Sequence, residues 1–294
     1  MTAIIDLLAR GFSLSVELWP PRSSEAQVRL ERSLERLVVL NPTFASITYG
    51  AAGSTRERTH DLVVAIHESK IMTPMAHLVC AAHRRDELVA ILERYKTAGI
   101  ENVLALRGDP PLDATECLAE GDLRHAVDLV DLAKEIGDFC VAVGAHPEGH
   151  PNALDRESDR RYLAEKLEHA DFAITQFFFR ADDYFSLVDD LAERGIRKPV
   201  IPGIMPITNV KTVARMAELS GTQLPDEVLK RIRDVAEDPD AVHRVGVEIA
   251  TELCAELTAE GIPGLHFYTM NQVSATLEVC ERLDLVKARS GSTE

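Results

Sequence analysis

Two carboxylates stand where carboxylates are costly to place. Glu17 interrupts an apolar run, LSVELWPP, and Asp109 closes another, LALRGDPP, two residues after Arg107. An enclosed glutamate keeps its proton toward neutrality and can serve as a general acid. An aspartate beside a guanidinium stays ionised, ready to accept hydrogen bonds or to face a positive intermediate. Each also admits a plainer role. Glu17 would then be half of a structural ion pair, and Asp109 a turn residue before Pro110.

Other chemistries are poorly supported. His146 and His150 frame Glu148 in AHPEGHP. Their spacing converges on one metal ion only on a helix, which Pro147 and Pro151 oppose. No serine or cysteine occupies a nucleophile elbow, and GAAGSTRERT lacks the lysine of a phosphate-binding loop. The five cysteines (Cys80, Cys117, Cys140, Cys254 and Cys280) are odd in number and form no C-x-x-C pair. They read as reduced thiols in a cytoplasm.

Short apolar runs must position these residues. They fall at 12–18, 44–48, 75–79, 102–106, 139–144, 172–176, 199–204 and 264–268. Between them lie stretches with apolar spacing of three and four, such as VRLERSLERLVVL, RDELVAILERYKTAG and DLRHAVDLVDLAKEIG. The last two end at Gly99 and Gly137, where left-handed caps are expected. Eight strand–helix units imply a parallel sheet and fit an α/β fold of the (β/α)8 TIM-barrel type. An open doubly wound sheet is the alternative, but no G-x-G-x-x-G follows the first strand. The expected organisation is one barrel domain over 1–285, with a helical insertion at about 222–260, and a polar tail over 286–294.

Barrel enzymes keep their chemistry at the C-terminal strand ends. Those ends carry Glu17, Thr48–Tyr49, His77, Arg107–Gly108–Asp109, His146, Gln176, the 202–206 segment and His266–Thr269. Aromatic residues gather there too, among them Trp19, Phe177, Phe178 and Tyr268, and suit a flat heterocycle.

Composition narrows the partners. Against 32 Lys and Arg stand 48 Asp and Glu, a formal charge of −16. That opposes binding to nucleic acid or to an anionic membrane. No apolar run reaches the ~20 residues of a membrane-spanning helix, and MTAIIDLLARGFSLS lacks the marks of a secretory leader.

FSLSVELWPP, ITYGAAGSTRERT, HLVC, LALRGDPP, AHPEGHP, AITQFFF, IPGIMPITN and HFYTMN occur in this order. Together they resemble the methylenetetrahydrofolate reductase family in its short bacterial form, over nearly the whole chain. The resemblance implies reduction of 5,10-methylenetetrahydrofolate to 5-methyltetrahydrofolate with NADH or NADPH. It implies Glu17 as the acid that protonates N10, and Asp109 as the stabiliser of the N5 iminium. Gln176, with Phe178 and Tyr268, would hold the pterin. Thr48, Tyr49, His77, Arg107, Gly108 and the position of His146 correspond to the family's cofactor contacts.

Departures concern the flavin. His146 stands where the family has Tyr. On the helix DRESDRRYLAEKLEHA, Asp159 and Lys166 are retained, while Tyr162 and Glu165 replace Asn and Arg. A carboxylate near a pyrophosphate is repelled by about 4 kcal/mol at ~4 Å and an effective dielectric of ~20. Arg160 or Arg161 would compensate. Val210 and Gln272 replace a Phe and an Arg. Both an FAD enzyme and a flavin-independent one remain open, as do a barrel lyase or aldolase using Glu17 and Asp109, and a folate-binding protein without turnover. A monomer and a homo-oligomer are equally compatible.

Overall fold

A computed structural model describes residues 2–49, 56–108 and 121–286. Eight parallel strands close into a barrel in chain order: β1 (Ser13–Leu18), β2 (Phe44–Ile47), β3 (Thr73–Val79), β4 (Asn102–Leu106), β5 (Cys140–Ala145), β6 (Phe172–Phe177), β7 (Val200–Ile204) and β8 (Gly264–Tyr268). The open doubly wound alternative is excluded by the pairing of β1 with β8. Each strand lies within two residues of its expected run.

The strand sequences carry apolar residues on both faces, as a sheet covered by helices requires. Helices α2 (Ser24–Leu37), α3 (Arg56–Ser69), α4 (Arg85–Thr97), α5 (Ala126–Ile136), α6 (Arg156–His169), α7 (Ala181–Glu193) and α8 (Val210–Ser220) follow β1 to β7. Ser23, Asp155 and Asn209 cap α2, α6 and α8 by accepting backbone N–H groups. The extra segment before β8 holds α9 (Asp226–Arg233) and α10 (Pro239–Ala259), and α11 (Ser274–Arg282) follows β8.

The two glycine stops behave differently. Gly99 has φ +76°, and Ile100 N reaches back to Tyr95 O at 3.0 Å, as a left-handed cap should. Gly137 is extended instead, with φ −172°. Lysines take over its capping work: Lys96 Nζ donates to Ile136 O at 2.7 Å, and Lys134 Nζ to Phe139 O at 2.8 Å. Lys198 Nζ serves Glu168 O and Ala170 O in the same way at the end of α6. Each places a cation at a helix C-terminus, where the exposed carbonyls favour it.

A short helix, α1 (Ile4–Leu8), was not expected. It closes the barrel at the strand N-termini, where Ile4 and Leu8 pack against Phe44, Met75, Leu104, Phe172 and Ile201. Ile4 N donates to the buried Asn102 Oδ1 at 2.8 Å, which satisfies that buried donor. Among the described residues no helix is long and apolar enough to cross a membrane.

Candidate active site

At the C-terminal strand ends lies a cavity of about 270 Å³. Register brings its polar wall together, since Glu17 stands level with Tyr268 on β8 and with Ser46 on β2. The Glu17 side chain is 12% exposed. Burial pushes its carboxyl up to about 7, against the lowering effect of the Trp19 indole, whose Nε1–H donates to Oε1 at 2.9 Å. His77 Nε2 lies 3.9 Å from Oε2. The two form no ion pair at neutral pH, because burial depresses His77 to about 3.

Beneath Glu17 a second neutral imidazole is locked in place. Ser15 Oγ donates to Leu265 O, so it accepts from His266 Nδ1–H at 2.9 Å. His266 Nε2 then accepts from Ser46 Oγ at 3.3 Å. Burial, helped by His77, holds His266 near 3. Tyr268 crosses β7 to donate its hydroxyl to Thr175 O at 2.6 Å. Only glycine allows this at position 203, where a Cβ would collide with Thr175 O and the Tyr268 ring. Gln176 Oε1 accepts from Phe177 N at 3.0 Å, which leaves its NH2 group for a ligand.

The predicted residues divide. Glu17, His77, His146, Gln176 and Tyr268 share the cavity wall. Thr48 and Tyr49 are outside that wall. Thr48 joins β1 to α3 by accepting from Thr59 Oγ1 and donating to Leu18 O. The Tyr49 hydroxyl is spent on His83 Nε2 at 3.0 Å, and burial first of all raises it to about 12. Arg107 is exposed, and its carbonyl accepts from Ala81 N. Gly108 has φ +78° and packs on Val79. Phe178 is 1% exposed and stacks on Tyr184 under α7, away from the cavity. Phe177 lines the cavity in its stead, because the β6–β7 register shifts between Ile174 and Phe177. Asp109 lies outside the described residues, as do Cys117, most of the GAAGSTRERT segment and the tail beyond 286.

Met216 of α8 and Met270 after β8 complete the wall. Neither carried a signal in the sequence, since methionine fills helix faces and loops alike. Four of the cysteines (Cys80, Cys140, Cys254 and Cys280) are buried, unpaired thiols. No cluster of three metal-ligating side chains occurs among the described residues.

On α6 the charged residues are largely committed. Arg160 is 1% exposed and donates to Asp159, Asp190, His146 O and Pro147 O. Lys166 Nζ donates to Gly144 O at 3.0 Å, and burial lowers it. Arg161 lies over the exposed Tyr162 ring, and Glu165 is exposed. The His146 ring meets His150 edge-on at 4.6 Å, and burial depresses it to about 3.

A larger groove, about 1220 Å³, opens at the opposite end beside Arg10, Lys70 and Asp284. It is open and lies at the strand N-termini, the end that barrels use for stability. The smaller cavity holds the convergent titratable groups, and is the candidate site.

A family model described as methylenetetrahydrofolate reductase matches residues 2–284. The 5,10-methylenetetrahydrofolate reductase of Salmonella typhimurium is 36% identical over 272 residues, covering 92% of this chain and 90% of its own. Methylenetetrahydrofolate reductase (NADH) 1 of Arabidopsis thaliana is 34% identical over 287 residues, 93% of this chain and 48% of that protein. Among solved structures, an uncharacterised protein from Clostridium thermocellum that binds two copies of 5-methyl-5,6,7,8-tetrahydrofolic acid superposes with a TM-score of 0.61. It covers 96% of both chains at 14% identity, a likeness of fold.

Proposed function

Since the chain belongs to the methylenetetrahydrofolate reductase family, we propose that it reduces 5,10-methylenetetrahydrofolate to 5-methyltetrahydrofolate by direct hydride transfer from NADH or NADPH. The observation that carries this reading is the enclosed Glu17 carboxyl, held near 7 at the wall of a cavity shared with Gln176 and Tyr268. A carboxyl so poised is still substantially protonated at neutral pH and can give its proton to N10 as the methylene–N10 bond breaks. The electron pair of that bond stays on N10, and N5 becomes the iminium. Hydride from the nicotinamide then adds to the exocyclic carbon, which needs an approach of ~3–3.5 Å. The NH2 group of Gln176 is available to the pterin, and neutral His77 and His266 add no repulsion to the cation. Asp109 retains its proposed role as the ionised partner of the iminium.

Apart from the exposed Arg161, which lies over Tyr162, the α6 residues singled out in the sequence do not fit a flavin pyrophosphate. Arg160 has its donors on two carboxylates and two carbonyls, Lys166 is bonded to Gly144 O, and Glu165 adds an exposed negative charge. No step is therefore derived through a flavin. A lyase using a Schiff-base lysine finds less support, because no lysine lines the cavity among the described residues.

The test is a pair of measurements on the purified protein. NADH or NADPH should be oxidised only when methylenetetrahydrofolate is present, and the visible spectrum should stay free of flavin bands before and after added FAD. A yellow protein, or turnover that depends on FAD, refutes the flavin-free reading. No turnover under either condition refutes the reductase reading.

A further inference from the structure

The chain's single tryptophan, Trp19, stands two residues beyond Glu17 at the cavity wall. Its indole N–H meets Glu17 Oε1 at 2.9 Å. The backbone on either side of that bond is fixed from β8. Asn271 pairs with both backbone groups of Trp19: its Oδ1 accepts from Trp19 N at 2.9 Å, and its Nδ2 donates to Trp19 O at 2.8 Å. Thr269 Oγ1 donates to Glu17 O at 2.8 Å. Met270 and Asn271 both take positive φ, 47° and 59°, so the chain bends sharply to aim this amide. Such backbone is retained only where its surroundings enforce it, and here Ser33 Oγ also donates to Asn271 O at 2.8 Å.

A protonated carboxyl has one oxygen that donates and one that accepts. The oxygen already accepting the indole N–H is the accepting one. The other, Oε2, faces His77 Nε2 at 3.9 Å, and that nitrogen is buried without a hydrogen-bond partner. We propose that Trp19, clamped by Asn271, is a positioning residue for the acid: it occupies Oε1 and leaves Oε2 as the oxygen that holds and delivers the proton. This rests on the reading of Glu17 as the acid. During transfer the Oε2–H bond breaks as N10–H forms, and the carboxylate left behind keeps the same indole N–H as its partner. Among the described residues, the other titratable groups that meet this cavity are His77 on β3, His146 after β5, and His266 and Tyr268 on β8. The three histidines are depressed and Tyr268 is raised, so all stay neutral near pH 7.

One tryptophan makes the pairing directly visible. Indole emission of the full-length protein should titrate with a midpoint near 7, and the titration should vanish in Glu17→Gln. Trp19→Phe keeps a ring and removes the donor. Its kcat should fall about tenfold on the acid plateau, with KM for both substrates within about twofold. The alkaline limb of its pH profile should move up by about one unit, because the carboxylate loses a stabilising donor. Asn271→Gly keeps the backbone turn and removes only the amide, so its emission midpoint should also rise. An emission titration that persists in Glu17→Gln overturns the proposal. So does a Trp19→Phe limb that stays in place while only thermal stability falls. A wild type with the expected titration but no folate turnover overturns the functional reading and supports the pairing.

Discussion

At the strand N-termini, Ile4 and Leu8 meet Phe44, Met75, Phe172 and Ile201 in an apolar plug. Toward the other ends of the barrel strands, Glu17, His77, His266, Gln176 and Tyr268 surround a cavity. Ser15 and Ser46 lie between the two and hand one environment over to the other through His266. The lower end gains stability by excluding water from hydrocarbon. The upper end encloses ionisable groups in forms they would not hold in water. The same inward-pointing positions therefore serve opposite ends: strand starts build the fold, and strand ends spend part of its stability on poised chemistry.

The largest separation of the two ends should come from Glu17→Gln. Turnover should fall by about 10²–10⁴-fold, while the unfolding midpoint holds or rises, since an amide replaces an enclosed carboxyl. A variant that lost stability while keeping activity would break the contrast. Phe172→Ala works from the other side. Emptying that fully buried ring site should cost about 3–5 kcal/mol in urea unfolding. Its kcat per folded molecule should stay within about twofold. A tenfold loss of kcat in the folded state would show that the plug shapes the cavity.

The smallest effect is in pH. The Glu17 carboxyl is at about 7 folded against a model value of 4.5, so the folded state holds more protons between those values. Wild-type stability should therefore decline relative to Glu17→Gln as pH rises from about 4.5 to 7, by at most about 3 kcal/mol, and run parallel above that. His77, His146 and His266 act in the opposite direction. Their folded values near 3 lie below 6.5. Stability from keeping them neutral is full above about 6.5 and is lost as pH falls toward 3. Unfolding curves at pH 5, 6.5 and 8 for wild type and variant test both slopes.

The barrel was legible because its strands are apolar on both faces and separated by helical spacing, a pattern that leaves little choice of fold. Glu17 was legible as a carboxylate inside an apolar run. The plug α1 was not, since five residues are too few for periodicity to declare a helix. Phe178 is expected at the cavity, yet a register shift turns Phe177 toward it instead. Arg160 reads in the sequence as a cation that would compensate Glu165 near a pyrophosphate, yet its side chain is buried. Its burial depends on Asp190, thirty residues away, and on carbonyls that sequence does not locate. Trp19 was visible only as an aromatic residue near a strand end. Its bond to Glu17 spans two residues, but its clamp by Asn271 links residues about 250 positions apart, through the closure of β8 onto β1.

The lysine amines that cap Ile136, Phe139, Glu168 and Ala170 tie consecutive units of the barrel wall together. Acylation removes a lysine's charge along with donors to those carbonyls. An amine-directed label, a crosslinker, or cyanate from aged urea is therefore not a neutral surface reagent for this protein. Each modified staple leaves carbonyls of the outer wall without their cation.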